Sequence, residues 1–333
     1  MRSRFPEIPW RKLPPWFAGR RGRNAGIDRP LLDDDRQQEL RQYAESLAWS
    51  LIEFDRQASD PRTGDALSAF RGHGLEFEEN RVYQPGDEPR LLNWRLYART
   101  GDLYTRVFRE ERRPQVFLLV DRRAAMRFGS RRQLKARLVA AMACAHAWQA
   151  RQQALALGGL ILSRELHWFS PAVGDTAGDR LIQSLSGPCR PLPFDADQPS
   201  LEEALQLVHQ RLAPGSFLLL VSDFMDLESD SAMPLLHELA QKHSVRAVQI
   251  LDPLEQQLPE RGDLLIENPS RPQPIRLDSR DRGLRQAYAE MFSAMQSRLA
   301  ACFAGCDIPF HSCSTADRVE SCLNSLHPIH DAG

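Results

Sequence analysis

The chain has 333 residues, of which 42% are hydrophobic and 26% charged, with a formal net charge of −1. This is the balance of a globular protein with a sizeable core. It excludes bulk electrostatic attraction to nucleic acid. No apolar run is long enough to span a bilayer. No signal-peptide pattern precedes the six cysteines, so they are expected to be reduced thiols of a cytoplasmic protein. Lysine occurs only at Lys12, Lys135 and Lys242, and arginine supplies nearly all the positive charge.

Residues 1–29 form an aperiodic basic arm in which Trp10, Trp16 and Phe17 stand among arginines. Such an arm drapes over its own domain or touches an anionic membrane surface. A helix is predicted over residues 36–54, with Leu40, Tyr43, Ala44, Leu47, Leu51 and Phe54 on one face. A small β-rich segment follows. It has a strand through Phe77, Arg81, Val82 and Tyr83, a type II turn at Pro85-Gly86, a helical piece over residues 90–97 and a second strand over 103–108.

From residue 116 onward strands and helices alternate. Apolar runs at 116–120, 217–221 and 245–251 end in Asp121, Ser222-Asp223 and Asp252, with a further strand predicted at 154–162. Between them lie a helix facing inward through Leu134, Leu138, Met142 and Trp148, and another opened by a Ser200/Glu203 capping box. A long helix carrying Leu284, Tyr288, Phe292 and Leu299 precedes a last strand at 308–311. This alternation specifies an α/β fold with a doubly wound, mostly parallel sheet. Such sheets bind ligands beyond the carboxyl ends of their strands.

Cys302, Cys306 and Cys313, with His311 and His327, offer zinc-ligand chemistry without the paired Cys-x-x-Cys knuckles of structural sites, so core packing is expected and no metal. The chain has no phosphate-binding Gly-x-x-x-x-Gly-Lys loop, no His-Glu-x-x-His and no Gly-x-Ser-x-Gly. Neither a cofactor nor a catalytic residue is expected.

The run Arg71-Gly72-His73-Gly74-Leu75-Glu76-Phe77-Glu78-Glu79 is followed by Arg81, Tyr83, Gln84-Pro85-Gly86-Asp87, Arg90, Asn93-Trp94-Arg95 and Ala98-Arg99-Thr100-Gly101. Together with Glu110-Glu111-Arg112, Phe128-Gly129 and Asp252-Pro253-Leu254-Glu255, it resembles the domain of unknown function 58 family. The resemblance implies a von Willebrand factor A-like domain over 116–326. Before it would come a family-specific helix and β-rich segment over 30–115, and after it a tail over 327–333. It also implies a non-enzymatic adaptor or scaffold that acts with a MoxR-type AAA+ ATPase on a client protein, with no nucleic acid and no membrane span. Alternatives are a metal-assisted hydrolase using Asp121 and Asp223, or nucleic-acid binding through the basic arm.

In that fold a metal-ion-dependent adhesion site begins Asp-x-Ser-x-Ser. Here the run is Asp121-Arg122-Arg123-Ala124-Ala125, so Arg123 and Ala125 replace the two hydroxyl ligands. Arginine has no acceptor and carries a fixed positive charge. Asp121 and Asp223 are expected to converge, with Arg122 or, preferably, Arg123 neutralising them; the alternative is that both arginines face solvent. Arg81, Pro85, Gly86, Asp87, Arg90, Asn93, Trp94, Arg95 and Arg99 allow two readings, a recognition surface or an ion-pair and stacking seam.

Overall fold

In a computed structural model of the chain, the described residues are 29–47, 75–84, 89–110, 115–190, 198–227, 229–266 and 275–326. The basic arm, Pro85-Gly86-Asp87 and His327 lie outside them. The chain divides into two units, Met1–Ser59 with Pro114–Gly333, and Asp60–Arg113.

The apolar runs of the larger unit become strands because a strand buried on both faces needs an apolar side chain at every position. In β3 (Gln115–Asp121), Val116, Leu118 and Val120 enter one core layer, whereas Phe117 and Leu119 enter the other. The same alternation divides Phe217, Leu219 and Val221 of β6 (Ser216–Ser222) from Leu218 and Leu220. With β4 (Ala156–Leu162), β5 (Leu166–Ala172), β7 (Ser244–Leu251) and β10 (Phe310–Ser314) they build a six-stranded sheet ordered β10-β7-β6-β3-β4-β5. All neighbours are parallel except β5, which runs antiparallel to β4. The α/β, mostly parallel sheet is therefore the fold of this unit, and β5 is an antiparallel edge the sequence reading did not anticipate.

Helices cover both faces. On one lie α3 (Lys135–Gln152), α4 (Asp175–Ser186) and α8 (Val319–Leu326). On the other lie α5 (Leu201–Arg211), α6 (Ser229–Lys242) and α7 (Arg282–Gly305). A short hairpin of β8 (Asp263–Ile266) and β9 (Ile275–Asp278) is separate from the main sheet. Fifteen of the residues of α3 are buried, from Lys135 to Ala150. A helix buried all round needs a cover on its outer side, and α1 (Asp34–Ser46) supplies it. Leu40 and Ala44 are buried there, Gln149 donates to the carbonyls of Ala44 and Leu47, and Arg36 pairs with Glu320 at 2.8 Å. This helix falls within the larger unit, where Leu40 and Ala44 share a core with α3. The described part of that helix ends at Ser46, and residues 48–54 lie outside the described set.

Burial inside α3 has a pH consequence. His146 is fully buried, its Nδ1 lies 2.8 Å from the Met142 carbonyl, and desolvation pushes its pKa down to about 4 from 6.5. A group with a depressed folded pKa holds fewer protons folded than unfolded between those values, so stability rises with pH across the window. Above about pH 6.5 this contribution is complete, and by about pH 4.5 the protein should have lost about 2–3 kcal/mol. Urea midpoints measured against pH should show the slope in wild type and a flatter profile in His146→Leu. Parallel profiles would contradict this.

In the smaller unit β1 (Leu75–Val82) and β2 (Tyr104–Glu110) pair antiparallel, with a bulge between Phe77 and Glu79. The helical piece expected near residues 90–97 is a 3-10 turn, Pro89–Leu91, followed by α2 (Trp94–Thr100). Asn93 explains the break. Its side chain caps α2 by accepting the Leu96 N–H at 3.2 Å and donates to Asn80 at 2.8 Å, while its own N–H bonds the Tyr104 carbonyl. Gly101, at φ 81°, ends the helix in the left-handed conformation that glycine adopts without strain.

Candidate functional site

The chain runs from β3 to β4 on one side and returns through β6 on the other, so a topological switch point lies at the carboxyl end of β3. Asp121 ends that strand and is 1% exposed. A buried carboxylate needs donors, and Asp121 has four. They are the Arg123 N–H at 3.0 Å, the Arg123 Nε at 3.1 Å, the Arg123 Nη2 at 2.7 Å and the Ser222 hydroxyl at 2.7 Å.

Arg123 also holds Asp226, through Nη2 at 2.9 Å and a second bond from Nη1. The planar guanidinium thus forms a fork on each of two carboxylates. Burial opposes its charge, but Asp121 and Asp226 outweigh that and raise its pKa well above the ordinary value. Burial likewise opposes ionisation of Asp226, but Arg123 holds its pKa low. Asp226 further accepts the Leu201 N–H at 3.0 Å at the start of α5, and Gln198 accepts the Ala124 N–H at 2.9 Å. One arginine therefore ties together the loops after β3, before α5 and after β6. Arg122 turns the other way, toward the carbonyls of Ser184, Gly187 and Pro188 at the C-terminal end of α4, where a cation suits the helix dipole.

Asp223 does not share Arg123 with Asp121. Phe224 adopts φ 55°, a strained conformation for a bulky residue. Buried against Phe303 and Phe310, it turns the chain so that Asp226 comes to Arg123. The Asp223 carboxylate instead accepts from Lys135 Nζ at 2.9 Å, and the same ammonium donates to Glu255 at 2.6 Å. Lys135 is fully buried at the start of α3. Burial alone would discharge it, but Asp223 and then Glu255 outweigh that and raise its pKa. Glu255 is raised above the usual carboxylate value, first by burial and then by Asp223 against the opposing pull of Lys135. Its other oxygen accepts the Asp252 N–H at 2.9 Å in a capping box. Asp252 accepts the Ser130 N–H at 2.7 Å, the Ser130 hydroxyl and the Thr315 hydroxyl at 2.5 Å. The carboxyl-end rim is a hydrogen-bonded network with two built-in cations.

A divalent ion of the adhesion-site type does not fit these residues. Mg²⁺ needs converging oxygen donors, yet both oxygens of Asp121 already accept from Arg123. The guanidinium takes the position of the first hydroxyl ligand, and Ala125 offers no donor at the second. The sulfur groups do not converge either. Cys302 and Cys306 pack on one face of the sheet, Cys313 on the other beside Cys322. Among the described residues no group of histidine, cysteine or carboxylate side chains could hold a metal ion.

Of the motif residues in the smaller unit, Asn93 is structural, as described above. Arg90, Trp94, Arg95 and Arg99 are exposed and Arg81 is partly buried. Asp226, Lys135, Glu255, Ser130 and Thr315 were not identified from the sequence as site residues. Two of them had a signal in the sequence: Lys135 is a rare lysine heading an apolar helix, and Glu255 stands at the capping-box spacing of Asp252-Pro253-Leu254-Glu255.

An α/β sheet with a charge-neutralised rim at its switch point is the class of protein that fold and site define. The chain belongs to the family described as Protein of unknown function DUF58, which it matches over residues 79–298. Uncharacterized proteins Rv1480 of Mycobacterium tuberculosis and Mb1516 of Mycobacterium bovis are each 29% identical over 254 residues, 76% of this chain and 78% of theirs. Among solved structures, the conserved hypothetical protein BatB from Bacteroides thetaiotaomicron is 12% identical at a TM-score of 0.38, covering 63% of this chain and 95% of that one. A von Willebrand factor type A protein from Catenulispora acidiphila is 9% identical at a TM-score of 0.31, covering 45% and 36%. Among the described residues no helix is long and apolar enough to cross a membrane.

Proposed function

We propose that this chain is a non-enzymatic interaction protein, an adaptor or scaffold whose sheet rim is held by its own arginine and lysine instead of a metal ion. The double fork of Arg123 on Asp121 and Asp226 carries this reading, because it fixes three loops at the face where open α/β sheets meet their ligands. A hydrolase working through Asp121 and Asp223 would need a carboxylate free to take a proton or a metal. Asp121 is saturated with donors and Asp223 is engaged by a buried lysine. In this reading the partner is a MoxR-type AAA+ ATPase, which the family resemblance suggests, with a client protein to be remodelled. The six unpaired thiols suit a cytoplasmic setting.

Interferometry with the full chain immobilised and a purified MoxR-type ATPase in solution tests the proposal. Saturable binding that weakens when Asp226→Arg reverses the charge at the rim is expected. Absence of binding at micromolar ATPase, or binding indifferent to the rim, would remove its basis.

A further inference from the structure

The smaller unit concentrates exposed apolar surface. Of the six large hydrophobic side chains left exposed among the described residues, four lie there: Val82, Trp94, Tyr97 and Leu103. Isolated exposed apolar residues are ordinary, but two exposed aromatic rings in mutual contact are a docking feature. Trp94 is 60% exposed and packs edge-on against Tyr97, with ring centroids 6.3 Å apart at 88°. The Tyr83 N–H bonds the Leu103 carbonyl and the Asn93 N–H bonds the Tyr104 carbonyl, so α2 starts at the end of the hairpin that carries Val82 and Leu103. The bonds of Asn93 to Asn80, Leu96 and Tyr104 tie α2 to the hairpin, and a preformed anchor loses little entropy on binding.

Charge gives the platform a polarity. Arg90, Arg95 and Arg99 are exposed and have no ion pair or hydrogen bond among the described residues. Some arginines of the larger unit are committed, Arg36 to Glu39 and Glu320, Arg123 to Asp121 and Asp226, Arg151 to Asp179, while others such as Arg131, Arg132 and Arg137 are exposed like those of the platform but have no exposed aromatic pair beside them in the sequence. Tryptophan, tyrosine and arginine are the residues enriched at binding hot spots. With a net charge of −1 the chain has no general basic field, so the positive charge here is local. The basic arm of residues 1–29 carries the wrong sign to cover it.

We propose that this surface docks an acidic segment of a partner protein, with Trp94 and Tyr97 receiving an apolar side chain and Arg90, Arg95 and Arg99 pairing with flanking carboxylates. The inference rests on the reading of the chain as an interaction protein and names a surface for it apart from the sheet rim.

The probe is a short fluorescein-labelled peptide of glutamate, leucine and phenylalanine, titrated against the full chain by anisotropy. Saturable binding is expected. It should weaken about tenfold in Trp94→Ala and by more than about tenfold in the Arg95→Glu, Arg99→Glu pair. It should also be lost when glutamine replaces every glutamate. These side chains are exposed, so melting temperatures should match wild type, and Arg90→Ala provides a milder variant. Equal affinity of wild type and variants for the peptide overturns the proposal. So does the same residue dependence for a single-stranded oligonucleotide, an anionic phosphatidylserine vesicle or self-association. ATPase binding with no peptide binding refutes this surface and leaves the rim reading; peptide binding with no ATPase binding does the reverse.

Discussion

Lys135→Met is expected to lower the unfolding free energy by about 3–5 kcal/mol, the usual cost of removing one partner from a buried ion pair. Lys135 has no exposure, and its ammonium is the cation between Asp223 and Glu255, both nearly inaccessible. Methionine fills similar volume, so the loss comes from charge rather than from a cavity. Without the ammonium, two carboxylates face each other in a medium that solvates neither. Protonation relieves that repulsion, so the deficit should shrink as the pH falls. Lys242→Met, at an exposed lysine, serves as the control and should stay within about 0.5 kcal/mol of wild type. Equilibrium unfolding in urea measures both. A deficit below about 1 kcal/mol for Lys135→Met would show that the buried triad does not hold this end of α3.

Arg123→Ala comes next in size, at about 3 kcal/mol. Its partners differ: Asp121 stays buried and keeps only Ser222 and one backbone N–H, whereas Asp226 is partly exposed and can turn to water. That partial escape places the cost at the lower end of the range. Arg123→Lys should recover little, because a single ammonium cannot make forks on two carboxylates at once. If lysine restored full stability, geometry would not matter and the guanidinium would be only a point charge.

The strands and helices with strong periodicity were legible in the sequence, because an apolar repeat of two or 3.6 residues translates directly into buried faces. Elements that broke the pattern were not. β5 contains Pro171, α4 carries Gly178 and α6 has Pro234 inside it, and each is stabilised by tertiary packing against local propensity. The direction of Arg123 could be argued from its place in the degenerate Asp-x-Ser-x-Ser run, with Arg122 alternating away. Its second carboxylate could not, since Asp226 reaches the site only through the left-handed turn at Phe224, an uncommon conformation for a residue of that kind. Lys135 finds its partners 88 and 120 residues further along the chain. Contacts at that separation depend on sheet order, which no local window contains. The pairing of Asp121 with Asp223 was expected for the same reason that it does not occur: adjacent strand ends place two carboxylates near each other, and a buried lysine draws one away.

Calorimetric titration of Mn²⁺ into the full chain tests most directly whether Arg123 stands where a metal would. Wild type is expected to give no saturable heat up to about millimolar Mn²⁺, because the donors a divalent ion needs are absent or occupied. Arg123→Ser combined with Ala125→Ser, which restores both hydroxyl ligands, should gain a single weak site. A single Mn²⁺ site in the wild type, lost in Asp121→Ala, would contradict the arginine-for-metal reading.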